Sequence, residues 1–170
     1  MKFDVGDKYY IDDMNLSCFK LCVDSSLLYN NYLDDFSIYN ISLGGNWRFQ
    51  LIVDSNTGRC VKFESYLNGM VIKKSSVSIA ESERRKLYFL TDEKMQMGSG
   101  CYYVPFSNEV CYDETKKILC FGNRNAIGVA IEFAPKIIAV VNDGDLKCIY
   151  LLLNDNPEIS AFLTNQSNIQ

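Results

Sequence analysis

Three sets of side chains in this sequence are of types that do chemistry. They are the carboxylate pairs Asp12-Asp13, Asp34-Asp35 and Asp143-x-Asp145, the cysteines, and an aromatic group of Trp47, Tyr102 and Tyr103. Paired carboxylates can hold Mg²⁺ or divide the roles of general acid and base. The Asp143-Gly144-Asp145 set is accounted for by a turn, where Asp and Gly tolerate positive φ. Cys18 and Cys22 have the nearest approach to zinc half-site spacing, yet no second closely spaced pair occurs among the other five cysteines. On a strand that spacing also places both residues on one face, as core positions would be. Aromatic faces stack on sugars and bases, and core packing explains Trp47 as well. Neighbours on a strand point to opposite faces, so one ring of the Tyr102-Tyr103 pair is expected to lie outward if the other is buried.

What the chain lacks narrows the chemistry further. It has no histidine, which removes the commonest general base, the usual partner of Ser and Cys nucleophiles, and the imidazole zinc ligands. No motif marks a cysteine as a nucleophile activated by Lys or by a helix N-terminus. Gly44-Gly45 is followed by no Walker lysine, and no GxGxxG occurs. The expectation is a binding surface rather than an enzyme, with no catalytic residue, no cofactor and no metal. Seven cysteines is an odd number, so at least one thiol is unpaired within the chain. They read as reduced and buried, acting as small apolar side chains.

At 170 residues the chain fits a single domain, 1–170, large enough to bury roughly 70% of its unfolded surface. Its 48% apolar and 13% aromatic content is that of a folded chain rich in Tyr and Phe. The net charge of −4 is unevenly spread, with seven Asp against three Lys in the first 46 residues. Residues 61–100 reverse the balance, but the only basic cluster is Arg84-Arg85-Lys86, which reads as a solvated element. No direct nucleic-acid partner is therefore expected. Asp4 and Asp7 occupy the place of a secretory apolar region, so the expected location is cytoplasmic. The longest apolar stretch, 126–141, is broken by Glu132, Pro135 and Lys136 and falls short of the roughly 20 residues a spanning helix needs.

The elements that would position these residues are mostly strands. Trp47–Val53 alternates, with Trp47, Phe49, Leu51 and Val53 on one face. Ser55-Asn56-Thr57-Gly58 turns the chain into a partner strand over Arg59–Leu67, in which Cys60, Lys62 and Glu64 oppose Val61, Phe63 and Ser65. Asn68-Gly69 suits a two-residue type I′ hairpin turn leading to a third strand over Met70–Ile79. Further strands are expected over 16–23, 87–91, 101–106, 109–112, 117–121, 126–133, 136–141 and 146–153. The Asp113–Lys116 and Asn142–Asp145 segments are expected to be turns. Helical spacing of Leu28, Tyr32, Leu33 and Phe36 predicts a short helix over Leu27–Phe36. Good helix formers predict a short helix or charged loop over Ala80–Lys86, and Pro157 opens a third short helix. The fold class is α+β: a mostly antiparallel meander of hairpins with a few short helices.

The block NWRFQLIVDSNTGRCVKFESYLNG, together with the style of residues 101–153, resembles the immunity proteins of bacterial contact-dependent growth-inhibition systems. The resemblance implies a non-enzymatic toxin inhibitor that binds a cognate toxin C-terminal domain, often a nuclease, and blocks its active site or substrate path. In some such pairs a toxin hairpin adds to the immunity protein's sheet, and sheet edges offer main-chain pairing for this. Nuclease toxins present basic substrate-binding surfaces, so Asp12, Asp13, Asp34 and Asp35 become candidate partner-binding residues beside Tyr102 and Tyr103. The alternatives are a small enzyme using carboxylate or thiol chemistry, and a ligand-binding β module.

Overall fold

The computed structural model describes residues 1–8, 18–23, 26–30, 38–45, 48–67, 69–91, 101–153 and 157–166. Among them are fourteen strands and one helix, α1 (Pro157–Gln166). Eight strands form one sheet in the order β1 (Lys2–Lys8), β8 (Glu83–Leu90), β12 (Val129–Ala134), β13 (Ile137–Asn142), β14 (Asp145–Leu152), β11 (Ile118–Gly122), β10 (Val110–Asp113), β7 (Ile72–Lys74). Six form the other, in the order β3 (Ser26–Asn30), β2 (Cys18–Val23), β6 (Cys60–Tyr66), β5 (Phe49–Asp54), β4 (Ile38–Leu43), β9 (Cys101–Val104). The fold is mostly β, as expected, but the sheets are mixed. β7–β10, β8–β12, β2–β6 and β4–β9 pair in parallel.

Both sheets contribute to one apolar core. Alternation puts Phe49, Leu51 and Val53 of β5 and Ile41 and Leu43 of β4 on the inner face of the small sheet. They share a buried cluster with Leu87, Phe89, Phe121, Ile131, Phe133, Ile149 and Leu151 of the large one. Phe121 joins the layers: its ring meets Phe49 at 5.1 Å and Phe63 at 4.9 Å, both edge-on, the arrangement aromatic quadrupoles favour. Ile159 and Leu163, one helical turn apart on α1, complete this cluster.

The large sheet is apolar on its second face too. Ile138 and Val140 of β13 point away from the shared core into an outer cluster with Cys111, Ile118, Cys120, Ala130, Cys148 and Tyr150. That is why β13 reads as an unbroken apolar run rather than an alternating one. An extended strap, residues 75–82, contributes Val77 and Ile79 to this cluster, while Ser76, Ser78 and Ala80 are exposed.

Local hairpin signals succeed where both strands stay in one sheet. β12, β13 and β14 form an antiparallel meander, with Asp143 and Gly144 at φ 52° and 81° in the connecting turn, as a type I′ geometry requires. The β5–β6 hairpin also forms. Its turn is organised by Asp54, whose carboxylate accepts from the Asn56 N–H and the Thr57 hydroxyl.

Four expectations are corrected. A turn follows Leu67, with the Met70 N–H donating to the Leu67 carbonyl at 3.1 Å, although Asn68 of the expected Asn68-Gly69 pair lies outside the described residues. The turn does not make a hairpin, however: β7 is only three residues long and pairs with β10 of the other sheet. Cys60 does not share a face with Lys62, because a register shift opposite Ile52 and Val53 inserts an extra residue, and Cys60 joins Phe63 in the core. The helix expected from Leu27 is a strand as far as Asn30, paired with β2 from Val23↔Ser26 onward; strand pairing overrides a weak helical period. Residues 83–86 are likewise the start of β8, whose Arg84 bonds Glu132 on β12 at 3.0 Å. Only the helix beginning at Pro157 is present among the described residues.

Asp113 fastens the strap to the β10–β11 turn. Its carboxylate accepts from the N–H groups of Val77 (2.9 Å), Thr115 (3.1 Å) and Lys116 (2.9 Å). Burial raises its pKa, but these donors and the Lys116 charge outweigh burial and hold it below the usual carboxylate value. A depressed folded-state pKa contributes stability above the unfolded value of about 3.9, and the contribution is lost as pH falls through the lower folded value. Asp113→Asn, which replaces one acceptor oxygen by a donor, is expected to cost about 1.5 kcal/mol at pH 7. Urea titrations should show the gap to wild type narrowing as the pH is brought below about 4.

Candidate functional site

The four described sheet edges differ in chemistry. β1 carries Lys2, Asp4, Asp7 and Lys8, and its pairing with β8 is irregular between Val5 and Lys8. At the other end of the same sheet, β7 presents Lys73 and Lys74, paired with Glu109 at 3.5 Å and Glu114 at 3.3 Å. Charge, irregularity and shortness are the devices that prevent a strand from recruiting another chain. The small sheet's edges have no charged residue: β9 reads CYYV and β3 reads SLLYN.

β9 is fastened at its C-terminal end. The Gly44 N–H donates to the Val104 carbonyl at 2.8 Å. Gly44 has φ +72°, and a Cβ there would collide with the Asn108 side chain and lie 2.9 Å from the Phe106 carbonyl, so glycine is required. Phe106 in turn packs edge-on against Phe49 at 6.1 Å. Gly122 makes room for that ring: it has φ +90°, and a Cβ would lie 2.8 Å from Phe106 and 2.7 Å from the Lys147 carbonyl.

The tyrosine pair divides between the two faces of β9. Tyr102 packs inward, its ring 5.7 Å from both Tyr39 and Phe89. Tyr103 points outward and is 52% exposed. It ends a row of polar residues that crosses the outer face of the small sheet in register: Tyr103, Ser42, Gln50 and Glu64. The Asn40 side-chain amide donates to Gln50 Oε1 at 3.1 Å, and Lys62 pairs with Glu64 at 2.8 Å. Ser42 and Gln50 are buried, and Lys62 and Glu64 are mostly shielded from water. Polar residues at alternate positions of β4, β5 and β6 are the sequence signature of this belt.

Asp12, Asp13, Asp34, Asp35 and Trp47 lie outside the described residues. Asp143 lies in the β13–β14 turn and Asp145 opens β14, where its carboxylate pairs with Lys147 at 2.8 Å. Among the described residues no group of three or more His, Cys, Asp or Glu side chains is placed to hold a metal ion. No helix there is long and apolar enough to cross a membrane.

Cys60, Cys111, Cys120 and Cys148 are free and buried. Burial pushes the Cys60 and Cys111 thiols up, and Cys120 is raised first by its hydrogen bond with Cys148 and then by burial. Such thiols are poor nucleophiles, because the thiolate is the reactive form. What the described residues offer is therefore an aromatic, uncharged sheet edge beside a polar belt, suited to main-chain recognition. In comparisons with protein-family models, curated proteins and solved structures, none matches this chain.

Proposed function

We propose that this chain is an immunity protein: a non-enzymatic inhibitor that binds and neutralises a bacterial toxin domain, most simply a nuclease of a contact-dependent growth-inhibition system. One observation carries the reading. The large sheet's described edges bear charges and irregular pairing, whereas among the described residues the small sheet ends in β9, an uncharged strand with Tyr103 turned outward. An added strand would gain affinity from main-chain pairing along β9 and specificity from the side chains beside it. The excess of Asp in the first 46 residues would draw in a basic, nucleic-acid-binding surface and occupy it.

The enzyme reading gains nothing from Cys60, Cys111, Cys120 and Cys148, all four of which are buried. The test is genetic. The toxin candidate is the C-terminal domain encoded by the neighbouring upstream reading frame, and its expression alone should arrest growth. Co-expression of this chain is expected to restore growth. Continued arrest, with the chain folded and abundant, would sink the proposal.

A further inference from the structure

Cys120 and Cys148 lie on adjacent central strands of the large sheet, β11 and β14, on the face turned away from the shared core. The register pairs Cys120 with Tyr150 and Gly122 with Cys148, so the two cysteines are diagonal neighbours. Their sulfurs are 3.4 Å apart, in contact but well beyond the roughly 2.05 Å of a disulfide bond. Cys111 stands opposite Cys120 on β10. Val77 and Ile79 of the strap lie in the apolar cluster around them, and the charges that reach Cys120 are those of Arg124 and Glu109. Two groups fasten the strap at Val77. Asp113 accepts the Val77 N–H at 2.9 Å, and the Lys116 ammonium donates to the Val77 carbonyl at 2.6 Å. Ser75 adds a main-chain bond to the Tyr112 carbonyl at 3.1 Å.

We propose that Cys120 and Cys148 are an oxidisable dithiol that closes to a disulfide with a peroxide as oxidant, and that the strap over residues 75–82 gates access to it. Once the strap opens and admits water, one thiol gives up its proton, and the thiolate attacks a peroxide oxygen; the O–O bond breaks to give a sulfenic acid, and the released hydroxide takes up that proton to become one water. The second sulfur then attacks the sulfenic sulfur. The S–S bond forms, the S–O bond breaks, and the departing oxygen leaves as a second water carrying the second thiol's proton. Two thiols are oxidised by two electrons and one hydrogen peroxide is reduced to two waters. The product is a cross-strand link in the middle of the large sheet. The strap is the element to open, because its hold on this face depends on a few contacts around Val77, whereas β11 and β14 are paired on both sides.

The experiment treats the native full-length chain with hydrogen peroxide and maps its peptides by mass spectrometry without reduction. A linked Cys120–Cys148 peptide, lighter by two hydrogens and absent from Cys148→Ser, is the expected result. All seven thiols still titrating after treatment, or a link from Cys120 to Cys111 instead, would overturn the dithiol. The gate is read by labelling the untreated protein with a small alkylating reagent, using Cys60 of the inter-sheet core as the internal reference. Asp113→Asn is expected to speed labelling of Cys111, Cys120 and Cys148 about tenfold over wild type while Cys60 stays slow. Lys116→Met, which removes the other fastening, should act in the same direction and serves if the first variant does not fold. Equal acceleration at all four cysteines, or none, would overturn the gate.

Discussion

Phe121→Ala is expected to destabilise the protein by about 4 kcal/mol, the range for removing a fully buried aromatic side chain. The ring is fully buried and stands edge-on to both Phe49 and Phe63. Truncation therefore opens a cavity between two sheets whose backbones are each held by ladders on both sides, so the site collapses poorly. Two aromatic contacts are lost with it. The loss should appear in urea unfolding as a lower midpoint at unchanged slope. A cost below about 1 kcal/mol would mean that the two sheets do not meet at this ring.

Tyr103→Lys is expected to weaken binding to the proposed toxin partner by about thirtyfold or more. The side chain is half exposed at the edge of the small sheet, so the variant leaves the core alone. It installs on β9 the kind of charge that β1 and β7 already carry. Lys74→Ala, on the opposite sheet's edge, is the matched control and should leave affinity within about twofold. Equal losses in the two variants would place recognition elsewhere on the molecule.

Much of the local structure is legible in the sequence, and little of its assembly. The β12–β14 meander and the β5–β6 hairpin follow from alternation and turn residues, because a two-strand antiparallel pair is specified by its own segment. The turn after Leu67 is equally legible, yet its chemistry does not say which sheet receives the next strand, and β7 crosses to the other layer. Parallel partners such as β4 and β9 are separated by long stretches of chain, and no local pattern records the pairing. A one-residue irregularity was enough to move Cys60 to the core face. For the candidate site, the division of Tyr102 and Tyr103 between two faces follows from strand geometry. That β9 is an edge does not, since edge position is a property of the whole sheet. The hold of Asp113 on Val77 spans 36 residues of sequence, and only the turn around Asp113 could be read locally.

The central claim, that this chain inhibits by binding, is tested most directly by calorimetric titration of the purified toxin domain with the purified chain, following toxin activity in the same samples. The expected result is saturable binding with a Kd of about 10 nM or tighter, and toxin activity lost in proportion to the fraction bound. Absence of binding by the folded chain, or toxin inactivated by far less than an equivalent of it, would contradict the claim.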